Sequence, residues 1–225
     1  MFAMKIKELI QKFLMSRGLV LTMTMRYLRR ERSIYLPKHA GDYVRSSSLE
    51  LVANEIATRN LKGSVAELGV YQGDFAKIVN EAFPDRKLYL FDTFEGFNEQ
   101  DISIDKKLAY SSGRQDFSQT NIGIILKKMR HPENCVVKKG YFPESGGDVE
   151  DTFVFVSIDT DLFKPIYEGL QFFYPRLVRG GYIFVHDYNN DEYKGAKEAV
   201  KQYCEENDIA FFPLTDTCGS AIIAK

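Results

Sequence analysis

The chain has only three cysteines, Cys135, Cys204 and Cys218, spread through 225 residues and never in a C-x-x-C pair. That scarcity excludes a structural zinc site built on several soft ligands and suits a reducing cytoplasm. Net charge is scarce too: 30 basic residues against 31 acidic ones leave −1 at pH 7. A protein that grips nucleic acid neutralises phosphates with a basic surplus, so no nucleic-acid partner is expected. Long apolar runs are also missing. The first 21 residues have an apolar bias, but Lys5, Glu8, Lys12 and Arg17 interrupt every run. They supply neither the core of a signal peptide nor the roughly 20 apolar residues of a membrane span. Ile6, Leu9, Ile10, Phe13 and Leu14 instead follow helical spacing, which predicts an amphipathic helix.

What is present is ordinary globular material, 44% hydrophobic and 27% charged, enough for one α/β domain with a short appendage. Residues 1–41 read as an N-terminal helical appendage, a lid or dimer contact, ending in the basic run of Arg26, Arg29, Arg30 and Arg32. Residues 42–225 read as the main α/β domain. A helix is expected over 47–58 with Leu49, Leu51, Val52 and Ile56 inward. Apolar strands are expected at 64–68, 87–91, 135–139, 152–158 and 181–185, with helices at 74–82, 118–129, 165–174 and 192–206. Continuous apolar strands alternating with helices mean a parallel sheet covered on both faces. Two short strands, 209–213 and 220–224, are joined by a link too short for a crossover helix, so the last pair is antiparallel. The sum is a Rossmann-like, seven-stranded, mostly parallel sheet with an antiparallel last strand. The irregular stretch 95–117 is long enough to serve as a lid.

The most informative segment is Val65-Ala66-Glu67-Leu68-Gly69-Val70-Tyr71-Gln72-Gly73, followed 19 residues later by Phe91-Asp92. Two neighbouring strand ends in an open α/β sheet bring Glu67, the glycine turn and Asp92 to one crevice. The glycines let backbone approach a ligand, and Asp92 is placed to accept the hydroxyls of a ribose. The pattern is E-x-G-x-x-x-G, not the G-x-G-x-x-G of dinucleotide sites. It is similar to the S-adenosylmethionine (SAM) signature of class I methyltransferases. On that reading the cofactor contacts are Glu67, Gly69, Tyr71, Gly73, Asp92, Thr93, Ser118, Tyr141 and Asp159. Asp116-Phe117-Ser118 reads as a helix cap first and a nucleoside contact second, and Phe142 is as well suited to core packing as to stacking on an adenine.

Further along, Ile158-Asp159-Thr160-Asp161 and Val185-His186-Asp187 end two more strands. Carboxylates from adjacent strand ends suit a hard divalent cation, Mg²⁺ or Mn²⁺, and would repel one another without it. The plainer alternative is that these acids cap the helices that follow them.

Glu67-Leu68-Gly69-Val70, Phe91-Asp92-Thr93-Phe94-Glu95-Gly96-Phe97 and Ile158-Asp159-Thr160-Asp161-Leu162 together resemble the macrocin O-methyltransferase family. So do Tyr174-Pro175-Arg176-Leu177, Gly180-Gly181 and His186-Asp187-Tyr188. The likeness covers about 42–204. It implies a SAM-dependent, usually Mg²⁺-dependent transfer of methyl to a hydroxyl of a small molecule, a sugar or glycosylated metabolite. Asp159 and Asp187 would be metal ligands and Asp92 the ribose acceptor. One departure matters: the family has two consecutive acids where this chain has His186-Asp187. His186 would ligate Mn²⁺, Fe²⁺ or Zn²⁺, being a poor Mg²⁺ ligand, or act as general base, or hydrogen-bond a loop carbonyl. Either Asp161 or His186 takes the acceptor's proton. Rival readings are a metal-independent methyltransferase of the same fold and a non-catalytic SAM-binding scaffold. A nicotinamide reductase is the least expected rival, because the third glycine of its fingerprint is missing. The absence of an Asn-Pro-Pro-Tyr segment argues against amine methylation.

Overall fold

A computed structural model of the chain describes residues 42–225 and, ahead of them, Phe13 alone. The expected appendage at 1–41, its amphipathic helix and its role as lid or dimer contact therefore lie outside the described residues.

The chain enters through helix α1 (Tyr43–Thr58) and then alternates: β1 (Ser64–Leu68), α2 (Asp74–Ala82), β2 (Leu88–Asp92). Two short helices follow, α3 (Glu99–Lys107) and α4 (Ile122–Lys128), before β3 (Cys135–Lys139) and β4 (Phe153–Ile158). The rest is α5 (Phe163–Arg176), β5 (Leu177–Val185), α6 (Lys194–Glu206), β6 (Phe211–Pro213) and β7 (Ala221–Ala224). All seven strands form one sheet in the order β3-β2-β1-β4-β5-β7-β6. β1 to β5 run parallel, and β7 runs antiparallel to both β5 and β6. The strand order reverses between β1 and β4, and this is where such a sheet opens a crevice at its carboxyl edge.

Burial explains the layers. β1 and β4 are buried along their whole length, as expected for strands covered on both faces. On one face Leu68, Phe91, Phe153, Ile158 and Val185 meet Leu170 and Phe173 of α5 and Val200 of α6. On the other, Val65, Leu88, Leu90, Phe155 and Phe184 meet Leu49 and Ile56 of α1, Val79 of α2 and Ile125 of α4. Phe142 belongs to the first of these cores, at 5% exposure, and also borders the site cavity.

Several expectations need correction. α1 starts at Tyr43, earlier than 47, because the Asp42 side chain caps it by accepting the Arg45 N–H at 3.1 Å. Leu51 points outward at 44% exposure, whereas Leu49, Val52 and Ile56 are buried. The stretch 95–117 is not wholly irregular, since it contains α3, capped by Asn98. α4 starts at Ile122, not at 118, and its cap is Asn121, whose Oδ1 accepts the Ile124 N–H at 3.0 Å. Asp116 instead turns its own loop by accepting the Ser118 N–H. β5 begins at Leu177, four residues before the expected start.

Candidate active site

The strand ends are stitched together in a staircase. The Gly69 N–H donates to the Phe91 carbonyl, that of Asp159 to Leu68, and that of His186 to Ile158. This ladder sets Gly69, Asp92, Asp159 and His186 side by side at the carboxyl edge. Gly69 has φ of +86°, and a Cβ there would lie 2.0 Å from the Asp159 carbonyl oxygen. Only glycine allows the β1 turn to press against the end of β4.

Asp92 ties the turn from beneath. Its Oδ2 accepts the N–H groups of Val70 (2.7 Å) and Tyr71 (2.8 Å), and its Oδ1 accepts that of Phe94 (2.7 Å). A carboxylate offers about four acceptor positions, so capacity remains for hydroxyls. Glu67 lies deeper, 1% exposed, with one carboxyl oxygen that has no hydrogen-bond partner. Burial pushes its pKa well above the ordinary value; Arg45 opposes this, and the charges of Asp159, Asp92 and Asp74 add to it. It is a buried carboxyl waiting for a donor.

The other acids interlock. Arg45 reaches in from α1, donating to Asp159 Oδ2 and Ser157 Oγ, each at 2.9 Å, with its guanidinium 3.7 Å from the centre of the Phe75 ring. His186 Nδ1 sits 3.1 Å from Asp159 Oδ1 and 3.1 Å from Asp187 Oδ2. Burial and Arg45 both push its imidazole down, but the two carboxylates outweigh them and hold it at about 9. Burial would raise Asp187; hydrogen bonds from His186, Asp161 and Asn190 override it and keep this acid ionised. Asp161 moves the opposite way. Burial, its hydrogen bond to Asp187 and the Asp159 charge raise it well above a normal carboxylate. Carboxylate oxygens of Asp159, Asp161 and Asp187 all lie within 4.8 Å of one another.

These groups line one cavity of about 380 Å³, within the size range of small-molecule sites. Glu67, Gly69, Tyr71, Asp92, Thr93, Tyr141, Asp159, Asp161, His186 and Asp187 all border it. Two expected contacts do not. Gly73 is the N-cap of α2, its φ of +77° and its tight approach to Ile125 marking a turn. Ser118 is exposed on the loop beside Gly96. Sequence reasoning missed Arg45 and the pair Asp101 and Lys164. Arg45 stands four residues before Leu49 on the inward stripe of α1, a signal that was readable. The Tyr141 hydroxyl donates to Asp101 Oδ1 at 2.8 Å and accepts from Lys164 at 2.6 Å. Phe97 and Phe117 close the rim, edge to face at 4.9 Å.

A sheet of this order, with its reversed strand and its acid-lined crevice at the switch point, defines a class I methyltransferase. Solved structures agree on the fold. The O-methyltransferase NovP has a TM-score of 0.67 at 21% identity, covering 80% of this chain and 79% of that one. CalS11, a calicheamicin methyltransferase, has 0.62 at 16% identity, covering 80% and 78%. Demethyldecarbamoylnovobiocin O-methyltransferase of Streptomyces niveus is 24% identical over 179 residues, 74% of this chain and 67% of that protein. The model of the Macrocin-O-methyltransferase (TylF) family matches residues 24–221, and this chain belongs to that family. It is a SAM-dependent methyltransferase. Among the described residues, no helix is long and apolar enough to cross a membrane.

Proposed function

We propose that the chain methylates a hydroxyl of a small molecule, a sugar or glycosylated metabolite, with help from a divalent cation at the β4 and β5 ends. The observation that carries this reading is the convergence of Glu67, Asp92, Asp159, Asp161 and Asp187 on one cavity. SAM fits the residues present: Glu67 offers a buried, unpartnered oxygen for its ammonium group, and Asp92 retains acceptor capacity for its ribose. When bound, SAM supplies a sulfonium methyl that an acceptor oxygen takes in one in-line displacement, leaving S-adenosylhomocysteine (SAH).

A hard cation also fits the donor set. Three carboxylates within 4.8 Å repel one another, which adds to the burial that raises Asp161. Asp159, Asp187 and His186 would hold the ion, which would lower the pKa of an acceptor hydroxyl. Asp161 borders the cavity beside Asp187 and is the group we assign to take the proton, once cation binding has released the proton it shares with Asp187. His186 is the poorer candidate, since its Nδ1 faces a carboxylate on both sides and a pKa raised to about 9 keeps the imidazole protonated at neutral pH. The main work of the protein is alignment: a rigid glycine turn and an aromatic rim hold donor and acceptor and exclude water. The N-H···Asp92 bonds fix that turn before any ligand arrives.

A second reading, transfer with no cation, is favoured by one observation: Arg45 and His186 already pair with Asp159 and Asp187. Calorimetric titration with SAH in Mg²⁺, Mn²⁺ or chelator, followed by turnover on nucleotide-sugar and glycoside acceptors, tests both. SAH binding with chelator-sensitive turnover supports cation assistance. Full turnover in chelator selects the second reading, and absence of SAH binding throughout overturns the cofactor assignments.

A further inference from the structure

The loop between β6 and β7 brings a thiol to the cation end of the site. β7 pairs antiparallel with β5 so that Ala221 stands opposite Val185. Residues just before Ala221 therefore lie beside those just after Val185, namely His186 and Asp187. The loop is pinned in that position. Asp216 accepts both the N–H and the hydroxyl of Ser220. Gly219 has φ of +70°, and a Cβ there would lie 2.7 Å from Asn189. The Asn189 N–H donates to the Cys218 carbonyl at 3.2 Å. The outcome is that a ring nitrogen of His186, a carboxylate oxygen of Asp187 and the Cys218 sulfur lie within 4.8 Å of one another.

We propose that His186, Asp187 and Cys218, with Asp159 completing the set, bind a zinc-like divalent transition metal in preference to Mg²⁺. This deepens the cation-assisted reading above and rests on it. The donor chemistry points this way. Mg²⁺ takes oxygen ligands in near-octahedral array, whereas an imidazole, a thiolate and carboxylates together suit Zn²⁺, Fe²⁺ or Co²⁺. The spacing does too. Zinc–nitrogen and zinc–oxygen bonds of about 2.0–2.1 Å put neighbouring ligands of a tetrahedral site about 3.3 Å apart. His186 Nδ1 is 3.1 Å from Asp159 Oδ1 and 3.1 Å from Asp187 Oδ2. A supporting outer layer is present. Carboxylate oxygens of Asp42 and Asp216 stand within 4.8 Å of a His186 ring nitrogen, and Asn190 donates to Asp187 Oδ1 at 2.7 Å. Such partners orient a ligating imidazole and carboxylate. The scarcity of cysteine excludes a multi-thiolate zinc knot, not a mixed site with one sulfur.

The test titrates Co²⁺ into the metal-stripped full chain and follows absorbance, since thiolate coordination gives a near-ultraviolet charge-transfer band. The expected result is one equivalent bound with that band present. Cys218→Ser should remove the band and weaken Co²⁺ binding by about tenfold or more, with far-ultraviolet dichroism unchanged. His186→Asp, which replaces nitrogen by oxygen, should move the preference toward Mg²⁺ and Mn²⁺. Binding without the band, or a band that survives Cys218→Ser and so arises from Cys135 or Cys204, overturns the proposal. The two levels separate cleanly. Mg²⁺-supported turnover with no cobalt band sinks this site alone, whereas full turnover in chelator with no bound metal sinks the cation reading as well.

Discussion

Replacing Arg45 by methionine removes a permanent cation from the middle of the acid cluster, and its cost can be worked from the contacts. The Arg45 side chain is 6% exposed and that of Asp159 22%. Breaking one side of a buried pair costs about 3–5 kcal/mol, and partial exposure of Asp159 places this one near 3. Loss of the stack on Phe75 adds about 1 kcal/mol. Methionine refills much of the volume, so the net destabilisation should be about 3–4 kcal/mol. With a urea slope of about 2 kcal/mol per molar, the midpoint falls by about 1.5–2 M. The chain has no tryptophan, so far-ultraviolet dichroism is the natural probe, read in chelator to keep metal out of the balance. Asp159→Asn should recover part of the loss, giving a coupling of about 1–3 kcal/mol in the double-mutant cycle. A shift under about 0.5 kcal/mol for Arg45→Met, or zero coupling, would refute the claim that this pair holds α1 to the sheet.

Other outcomes follow from single contacts. Gly69→Ala should lower stability by more than about 3 kcal/mol and abolish SAH binding, because the new Cβ meets a backbone oxygen that cannot yield; a calorimetric titration matching the parent would contradict this. Asp187→Ala should cut turnover by about a hundredfold or more while SAH affinity stays within a few-fold, and equal loss of both would contradict the division between cation end and cofactor end. Asp105 is fully buried on α3, and burial raises its carboxyl from 3.8 to about 6. Its folded form keeps the proton longer than the unfolded chain does, so stability should fall as pH rises from about 4 to about 6, by up to about 3 kcal/mol. Asp105→Asn should flatten that slope in midpoints measured at pH 4, 5, 6 and 7; parallel profiles for the two proteins would rule Asp105 out as its source.

The sheet was readable because its strands are short apolar runs ending in chemistry-bearing residues, and β1, β3 and α2 fall where the pattern puts them. Glu67, Asp92, Asp159, Asp161 and Asp187 were readable for the same reason: a strand end in an open α/β sheet points at the crevice. What escaped was structure buried by polar residues. α3 reads Glu-Gln-Asp-Ile-Ser-Ile-Asp-Lys-Lys and turns Asp101 and Asp105 inward, so it has no apolar stripe to announce it. α1 buries Arg45, Ser46 and Glu50 alongside its aliphatic face, which hid both its first turn and its guanidinium. Cys218 escaped because its place depends on the β5–β7 register, which sequence spacing alone does not give.

Asp92 has a consequence for anyone wishing to redesign this site. Its carboxylate is the knot between two loops, one leaving β1 and one leaving β2, through the N–H groups of Val70, Tyr71 and Phe94. Any exchange at Asp92 would first have to retie both loops. The position is thus insulated from gradual change, and a library aimed at new cofactor analogues would do better at Thr93 and Tyr141. Both border the cavity, and neither holds the glycine turn in place.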